Sequence, residues 1–237
     1  MIIDIHSHIL PCVDDGSASV EESIAMLQRE YQQGIRRVVA TPHFYPQNDR
    51  PERFLARRQR AVNKLLEAVQ DVAGIPEIHL GAEVYYFPGI SESDILPELT
   101  IGKKRCILLE MPMPPWTDRM YTEIRAIREK QDLIPVIAHI DRYIMPFQTY
   151  GIPARLEQLP VLVQANASFF LNGITRPMAL RLLKEDRIHL LGSDCHNMTD
   201  RVPRLGDAVR MIEKKLGTDI LERIDLYQEQ IFNDGID

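Results

Sequence analysis

Histidines, carboxylates and one amide close seven apolar, strand-like segments of this chain. The segments read MIIDIHSH, RRVVATPH, EIHLGAE, CILLE, PVIAH, VLVQAN and HLLGSDCH. They end in His6 and His8, His43, Glu83, Glu110, His139, Asn166, and Asp194 with His196. Mixed imidazole and carboxylate donors suit manganese, zinc or iron better than an all-oxygen calcium cage. His6 and His8 are two apart on one strand, so both side chains are expected on one face, where they can share an ion. Asp14, Asp15 and Gly16 follow as an acidic turn; Asp15 is a candidate ligand, with ordinary Asp-Gly turn chemistry as its competitor. His43 taken singly reads as a loop histidine. Glu83 and Glu110 each follow apolar or small residues, where a lone carboxylate is costly to bury, and a salt bridge to arginine is the competing explanation. What separates the metal reading from these is register. His6, His8, Asp15, His43, Glu83, Glu110, His139, Asp194 and His196 all fall at or just beyond strand ends, and five of the seven histidines are among them. His79 and His189 lie inside strands and read as packing or surface residues.

Such a set, with some members bridging, can hold two or three divalent ions. Four carboxylates (Asp15, Glu83, Glu110, Asp194) against three divalent ions leave about two positive charges, which invites an anion. Arg142 and Arg201, close after His139 and His196, offer planar donor forks suited to phosphate oxygens; surface or salt-bridged arginines are the plainer alternative. A second motif competes for the chemistry. Cys195 and Arg201 have the Cys-x-x-x-x-x-Arg spacing of cysteine-nucleophile phosphatases. That loop cradles phosphate with backbone N–H groups and needs a low-pKa thiolate. Here it carries no glycine and contains Asp200, and Cys195 alternates with Asp194 and His196, so its thiol is expected to point away from the metals.

The elements that must position these groups follow from periodicity. Ser19 and Glu22 form a capping box before an apolar stripe of Ile24, Leu27 and Tyr31 that stops at Gly34. Pro51 opens a helix carrying Leu55, Val62, Leu65, Leu66 and Val69 up to Gly74; Thr117 caps another with Tyr121, Ile124 and Ile127. Leu156 and Leu159 mark a shorter helix, Pro177 opens one with Leu180, Leu182 and Leu183, and two more span Leu205 to Leu216 and Ile220 to Ile231. Strand then helix, about seven times over, favours a parallel closed sheet whose strand ends surround one mouth. Residues 87–104 fit this least, as a loop with a short helix near Glu92 to Leu99. The MPMPPW stretch is expected to leave the mouth, rigid and extended, just after Glu110. A chain of 237 residues, 45% hydrophobic and without linkers or repeats, reads as one α/β domain over 1–237. The net charge of −6 argues against a nucleic-acid or anionic-membrane binder. No apolar run approaches the ~20 residues of a membrane span. The start of the chain enters a strand without a basic region, so no signal peptide is expected. Three scattered cysteines make no disulfide framework, and a reducing cytoplasm is the expected home.

From DIHSHILPCVDDG through ATPH, GAEVYY, LLEM, VIAHIDRY and QANASF to GSDCHN, the chain resembles the polymerase-and-histidinol-phosphatase (PHP) superfamily. It is most similar to the bacterial tyrosine-phosphatase branch of the CpsB and YwqE type. That resemblance implies a distorted seven-stranded (β/α)7 PHP barrel. It implies one ion on His6, His8, Glu83 and Asp194, a second on Glu83, Glu110 and His139, and a third on Asp15, His43 and His196. Arg142 and Arg201 match the family's phosphate-binding arginines, and Asp15 and Glu110 stand where other branches tend to use histidine. Cys12 stands where relatives often carry glycine. The implied activity is hydrolysis of phosphotyrosine by a metal-bound hydroxide, with two or three divalent ions, manganese ahead of zinc or iron. The implied partner is the phosphorylated tyrosine-rich tail of a bacterial tyrosine kinase that serves capsule or exopolysaccharide synthesis; a homo-oligomer is compatible with it. Phe44, Tyr45, Tyr86, Trp116 and Tyr143 are candidates to flank the substrate ring. The rival readings are a small-molecule PHP phosphoesterase, such as a histidinol-phosphate phosphatase, and an inactive metal protein that only binds phosphotyrosine.

Overall fold

The computed structural model describes residues 2–102, 106–144 and 149–232. Lys103 and Lys104, the end of the 87–104 connection, lie outside the described residues. Among the described residues, nine short strands are interspersed with helices: β1 (Asp4–Ser7), β2 (Arg37–Ala40), β3 (His43–Phe44), β4 (Glu77–Leu80), β5 (Glu83–Tyr85), β6 (Cys106–Glu110), β7 (Ile134–Ile137), β8 (Leu162–Asn166) and β9 (Leu190–Gly192). All named pairings are parallel, in the orders β1-β2-β4 and β3-β5-β6-β7-β8-β9. The curled sheet comes back toward its start through a Ser7–Cys195 bridge, where His8 N donates to Cys195 O and Asp194 N to His6 O, both at 2.9 Å.

The second and third expected strands are each interrupted, which raises seven segments to nine strands. Pro42 lies at one break and has no N–H to add to the ladder. Across the breaks Gly81 N still donates to Ala40 O (3.0 Å) and Glu83 N to Pro42 O (3.1 Å), so the chain direction is kept. β1 departs from regular alternation in another way. Asp4 stands opposite Val38 and Ser7 opposite Ala40, so four residues of β1 span three of β2. Such a bulge re-aims side chains. Asp4 lies with Glu30 and Cys195, whereas His6, two residues on, lies with Glu83 and His139.

The long helices are α1 (Val20–Gln32), α2 (Pro51–Val69) and α3 (Asp118–Gln131); the short α4 (Ile140–Tyr143), α5 (Ile152–Leu156) and α6 (Ala167–Leu171) follow, then α7 (Arg176–Lys184), α8 (Leu205–Leu216) and α9 (Asp219–Phe232). Ser19 caps α1 by accepting from Glu22 N at 3.2 Å, but the Glu22 carboxylate accepts from Ala18 N and Met198 N instead of closing the box. The buried face of α1 is Ser23, Met26, Leu27 and Glu30. Tyr31, expected on that stripe, is 37% exposed with Arg36 over its ring. The expected helix near Glu92 is two 3-10 turns, Ile90–Glu92 and Leu96–Leu99. Alternation along the strands divides the core: Leu108 and Val136 join Ile5, Val39 and Leu190, with Ile231 and Phe232 of α9 against them, while Ile107, Leu109 and Ile137 pack in the larger cluster with α1, α2 and α3. Cys12 has φ 59, the left-handed region that glycine enters most easily.

Candidate metal centre

The nine expected ligands come together at the carboxyl ends of the strands. Register does much of this: His43 of β3 is paired with Glu83 of β5, and Tyr85 with Glu110 of β6. Ligand atoms gather in overlapping groups: His6, His8 and Asp194; His6, Glu83 and His139; His43, Glu83 and Glu110; and His8, Asp15, His43 and His196. Glu83 is fully buried, and its Oε2 lies 3.2 Å from His6 Nε2, 3.3 Å from His8 Nε2 and 2.9 Å from His43 Nδ1. Its Oε1 contacts His139 Nε2. Asp15 is the outlier, with its side chain 66% exposed and Oδ1 3.5 Å from His43 Nε2 and 3.6 Å from His196 Nε2.

Four of the five histidines are aimed in one way. His6 Nδ1 faces Gln164 Oε1 (3.3 Å), His8 Nδ1 faces Asp14 Oδ2 (2.7 Å), His139 Nδ1 faces Asn166 Oδ1 (3.2 Å) and His196 Nδ1 faces Asp194 O (3.0 Å). A ring that donates Nδ1–H outward presents its Nε2 lone pair inward, the usual arrangement around a metal. The consequence is visible between His6 and His8, whose Nε2 atoms face each other at 3.2 Å. Two lone pairs so placed repel unless a proton or cation lies between them. Buried atoms without a hydrogen-bond partner mark the same place: Glu83 Oε2, Asp194 Oδ1 and His196 Nε2. A cluster of this composition, with opposed lone pairs and orphaned carboxylate oxygens, fits divalent ions.

Electrostatics agrees. Burial opposes charge on His8, yet the hydrogen bonds and charges of Asp14 and Glu83 outweigh it and push its pKa up to about 10. Burial also works to raise Asp194, but His6, His139 and His8 hold it well below the usual carboxylate range. His196 is lowered to about 4, by burial first and then by the neighbouring His8 charge.

Both arginines reach the centre, but each is engaged. Arg142 Nη1 donates to Glu110 Oε1 (2.8 Å) and Nη2 to Asp194 Oδ2 (3.1 Å). Arg201 Nη2 lies 2.8 Å from Asp194 Oδ2, and Nη1 4.0 Å from Asp15 Oδ2. Their side chains remain 34% and 35% exposed, facing the mouth. Two grooves flank the centre. One, about 420 Å³, includes Asp15, His43, Tyr45 and Arg53; the other, about 330 Å³, includes Ser168, Asp194, Arg201 and Arg204. Of the aromatic candidates, Tyr45 reaches the cluster, its hydroxyl 3.2 Å from His43 Nδ1 and 3.4 Å from Glu110 Oε2. Phe44 is core. Tyr143 donates no group to the mouth; its hydroxyl accepts from Met111 N at 2.8 Å.

Asp14, Gln164 and Asn166 stand behind the nine expected ligands; of the three, the strand-end reading names Asn166 as the close of its segment but gives it no role. Asp14 joins the end of β1 to the start of β3 and closes its own turn: Oδ2 accepts from His8 Nδ1 and, at 2.9 Å, from His43 N, while Oδ1 accepts from Gly16 N at 3.0 Å. Gly16 is obligatory in this turn, because a Cβ there would meet His8 O at 2.4 Å. Gln164 Oε1 also accepts from His139 N (2.9 Å), and Asn166 Nδ2 donates to Asp194 Oδ2 (3.0 Å). Polar residues two apart on a buried strand were the available signal. His139 and Asp194 themselves have φ 50 and 54, a left-handed backbone that costs roughly 1–2 kcal/mol for a non-glycine residue and turns each side chain into the mouth.

Residues 2–231 match the family model described as capsular polysaccharide synthesis, CpsB/CapC. The tyrosine-protein phosphatase CpsB of Streptococcus pneumoniae is 33% identical over 226 residues, covering 91% of each chain. The tyrosine-protein phosphatase YwqE of Bacillus subtilis (strain 168) is 26% identical over 230 residues, 92% of this chain and 87% of that one. A crystal structure from work on YwqE and CpsB, described as unique metal-dependent tyrosine phosphatases, superposes with a TM-score of 0.83 at 24% identity, over 98% of this chain and 95% of the other, so the two share a fold. Sequence and fold agree, and the chain belongs to the CpsB/CapC family of capsular polysaccharide synthesis.

Proposed function

We propose that this chain is a metal-dependent protein-tyrosine phosphatase, with residues 1–237 as one domain and its seven strand segments, two of them interrupted, as a distorted seven-stranded (β/α)7 barrel. The observation that carries the reading is the inward aim of four imidazoles onto orphaned carboxylate oxygens, with His6 and His8 opposed at 3.2 Å. His6, His8, Glu83 and Asp194 would hold one ion; Glu83, Glu110 and His139 a second; Asp15, His43 and His196 a third. Manganese is the first choice, zinc or iron the alternatives. Bound ions of this kind act as Lewis acids and make water a nucleophile at neutral pH.

The chain's own groups supply the rest. With cations on Glu110 and Asp194, the forks of Arg142 and Arg201 would be available to bind phosphate oxygens and to neutralise charge as it spreads over them. Their exposure at the mouth suits that role. A phenol leaves with a free pKa of ~10 and needs less help from a proton donor than an alkyl alcohol. Tyr45, beside His43 and Glu110, lies where it can border the substrate ring. The substrate proposed is the phosphotyrosine-bearing tail of a bacterial tyrosine kinase acting in capsule or exopolysaccharide synthesis, met in the cytoplasm.

Manganese-loaded protein should hydrolyse phosphotyrosyl peptides and leave histidinol phosphate largely untouched. Exclusive turnover of histidinol phosphate would replace this proposal by the small-molecule reading. Peptide binding without hydrolysis would replace it by the inactive binder.

A further inference from the structure

Behind the mouth, β1 and β9 border a second cluster. Asp4 of β1, Glu30 of α1 and Cys195, just past β9, bring a carboxylate oxygen each and a sulfur within 4.8 Å of one another. All three residues are buried, at 0%, 0% and 1% exposure. Asp4 Oδ1 is used, accepting from Ser193 N (2.9 Å) and His6 N (3.2 Å). Asp4 Oδ2 and both Glu30 oxygens have no hydrogen-bond partner. The nearest cationic residue on the same helix, Arg29, directs its Nε to Pro203 O at 2.9 Å. Two buried acids with three unpaired oxygens are expensive unless a positive charge joins them.

We propose that Asp4, Glu30 and Cys195 form a sealed cation seat, separate from the mouth, that takes one zinc-like divalent ion. Two facts favour a cation over a bridging water. The unpaired oxygens converge with a sulfur, and a thiolate with carboxylates is a donor set for zinc and its neighbours. The three residues also come from three elements, the bulged start of β1, the last turn of α1 and the segment that brings the sheet back to β1, so an ion held by all three would join them. An ion there clamps the seam between β1 and β9 from the outside, while the mouth cluster spans it from within. Its role is structural, since none of the three residues faces the mouth. A seat this buried fills as the chain folds.

Cobalt gives a specific test, because every residue proposed at the mouth offers nitrogen or oxygen and only a cysteine can give a thiolate-to-cobalt charge-transfer band. The full-length protein, folded in the presence of Co²⁺, should show that band in the near ultraviolet. Cys195→Ser should abolish the band and lower bound cobalt by one ion per chain, and Glu30→Gln should weaken it. A cobalt-saturated wild-type protein without the band would overturn the proposal, and protons would then be what neutralises the pocket. So would a band that survives Cys195→Ser, which would place it on Cys12 or Cys106. Absence of the band in the wild type overturns the proposal even if the Cys195 variant folds poorly, a band unchanged in Cys12→Ser and in Cys106→Ser would leave Cys195 as its source, and neither readout depends on phosphatase activity.

Discussion

Two clusters of buried acids share the β1–β9 seam, and they are built on different terms. At the mouth, Glu83 and Asp194 sit among five histidines and two arginines, and most rings are held from behind by Gln164, Asp14, Asn166 or a backbone carbonyl. Behind the seam, Asp4 and Glu30 have a thiol for company and no aligned donor for three of their four oxygens. In the first cluster the rings, both arginines and two grooves converge on one mouth. The second is sealed. One arrangement suits chemistry on an exchanging substrate, the other a resident that never leaves. Burial alone therefore does not mark a site; what distinguishes the two is the second ring of hydrogen bonds and access to solvent.

The sharpest way to break the comparison is to remove the residue the mouth groups share. Glu83 contacts His6, His8, His43 and His139. Glu83→Ala should cost at least about 10³-fold in kcat, or about 4 kcal/mol, and at least one bound manganese per chain by elemental analysis. A variant that kept its metal and lost less than tenfold would dissolve the special status of the mouth.

How much of this contrast is legible in the sequence follows from the same two regions. Most mouth residues close apolar runs, Asp15 follows one in a turn, and a parallel sheet puts those ends in one place. The sealed cluster leaves no such trace. Glu30 is an ordinary acid in an amphipathic helix until the fold turns it inward, and the stripe that places Tyr31 on the buried face misjudges the rotation of α1. Asp4 faces away from His6 because of a bulge, and a bulge has no signature in the spacing DIHSH. Strand breaks at Pro42 and near Gly81 escape for a related reason: the hydrophobic run continues through them although the ladder does not. The arginines are visible as forks near the mouth, but their pairing with Glu110 and Asp194 is a tertiary fact.

A middle-sized effect should come from Asp14, which touches the mouth only from behind. Asp14→Asn should weaken manganese binding by ~10–100-fold, as loss of an orienting carboxylate does, and the pH dependence carries the more telling signature. In metal-free protein the His8 pKa is raised to about 10. A histidine held above its unfolded value stabilises the fold fully below pH ~6.5 and loses that contribution as pH rises toward 10. Metal and proton compete for the same ring, so manganese affinity should climb over that window while the thermal midpoint of metal-free protein falls. In Asp14→Asn both slopes should flatten, because a neutral amide holds the His8 proton less firmly. Unchanged slopes would mean that Asp14 is turn chemistry alone.

The smallest effect on turnover should be that of Cys195→Ser, and it decides between two nucleophiles. Spacing alone makes Cys195 and Arg201 look like a phosphate loop, but the structure spends the necessary donors elsewhere. Asn197 Oδ1 accepts from the backbone N–H of Thr199, Asp200 and Arg201 at 3.0, 3.0 and 3.1 Å, and His196 N donates to Arg201 O at 2.9 Å. A loop whose N–H groups are already bonded inward has none left to cradle an anion. The thiol is buried, and burial together with the Glu30 and Asp4 charges pushes it well above its ordinary pKa, the reverse of what a thiolate nucleophile needs. With metal saturating, Cys195→Ser should therefore lose less than about threefold in kcat, about 0.7 kcal/mol, against the collapse expected for Glu83→Ala. A loss for Cys195→Ser as deep as that of Glu83→Ala would move the chemistry from the mouth to the thiol, and the two clusters would have to exchange roles.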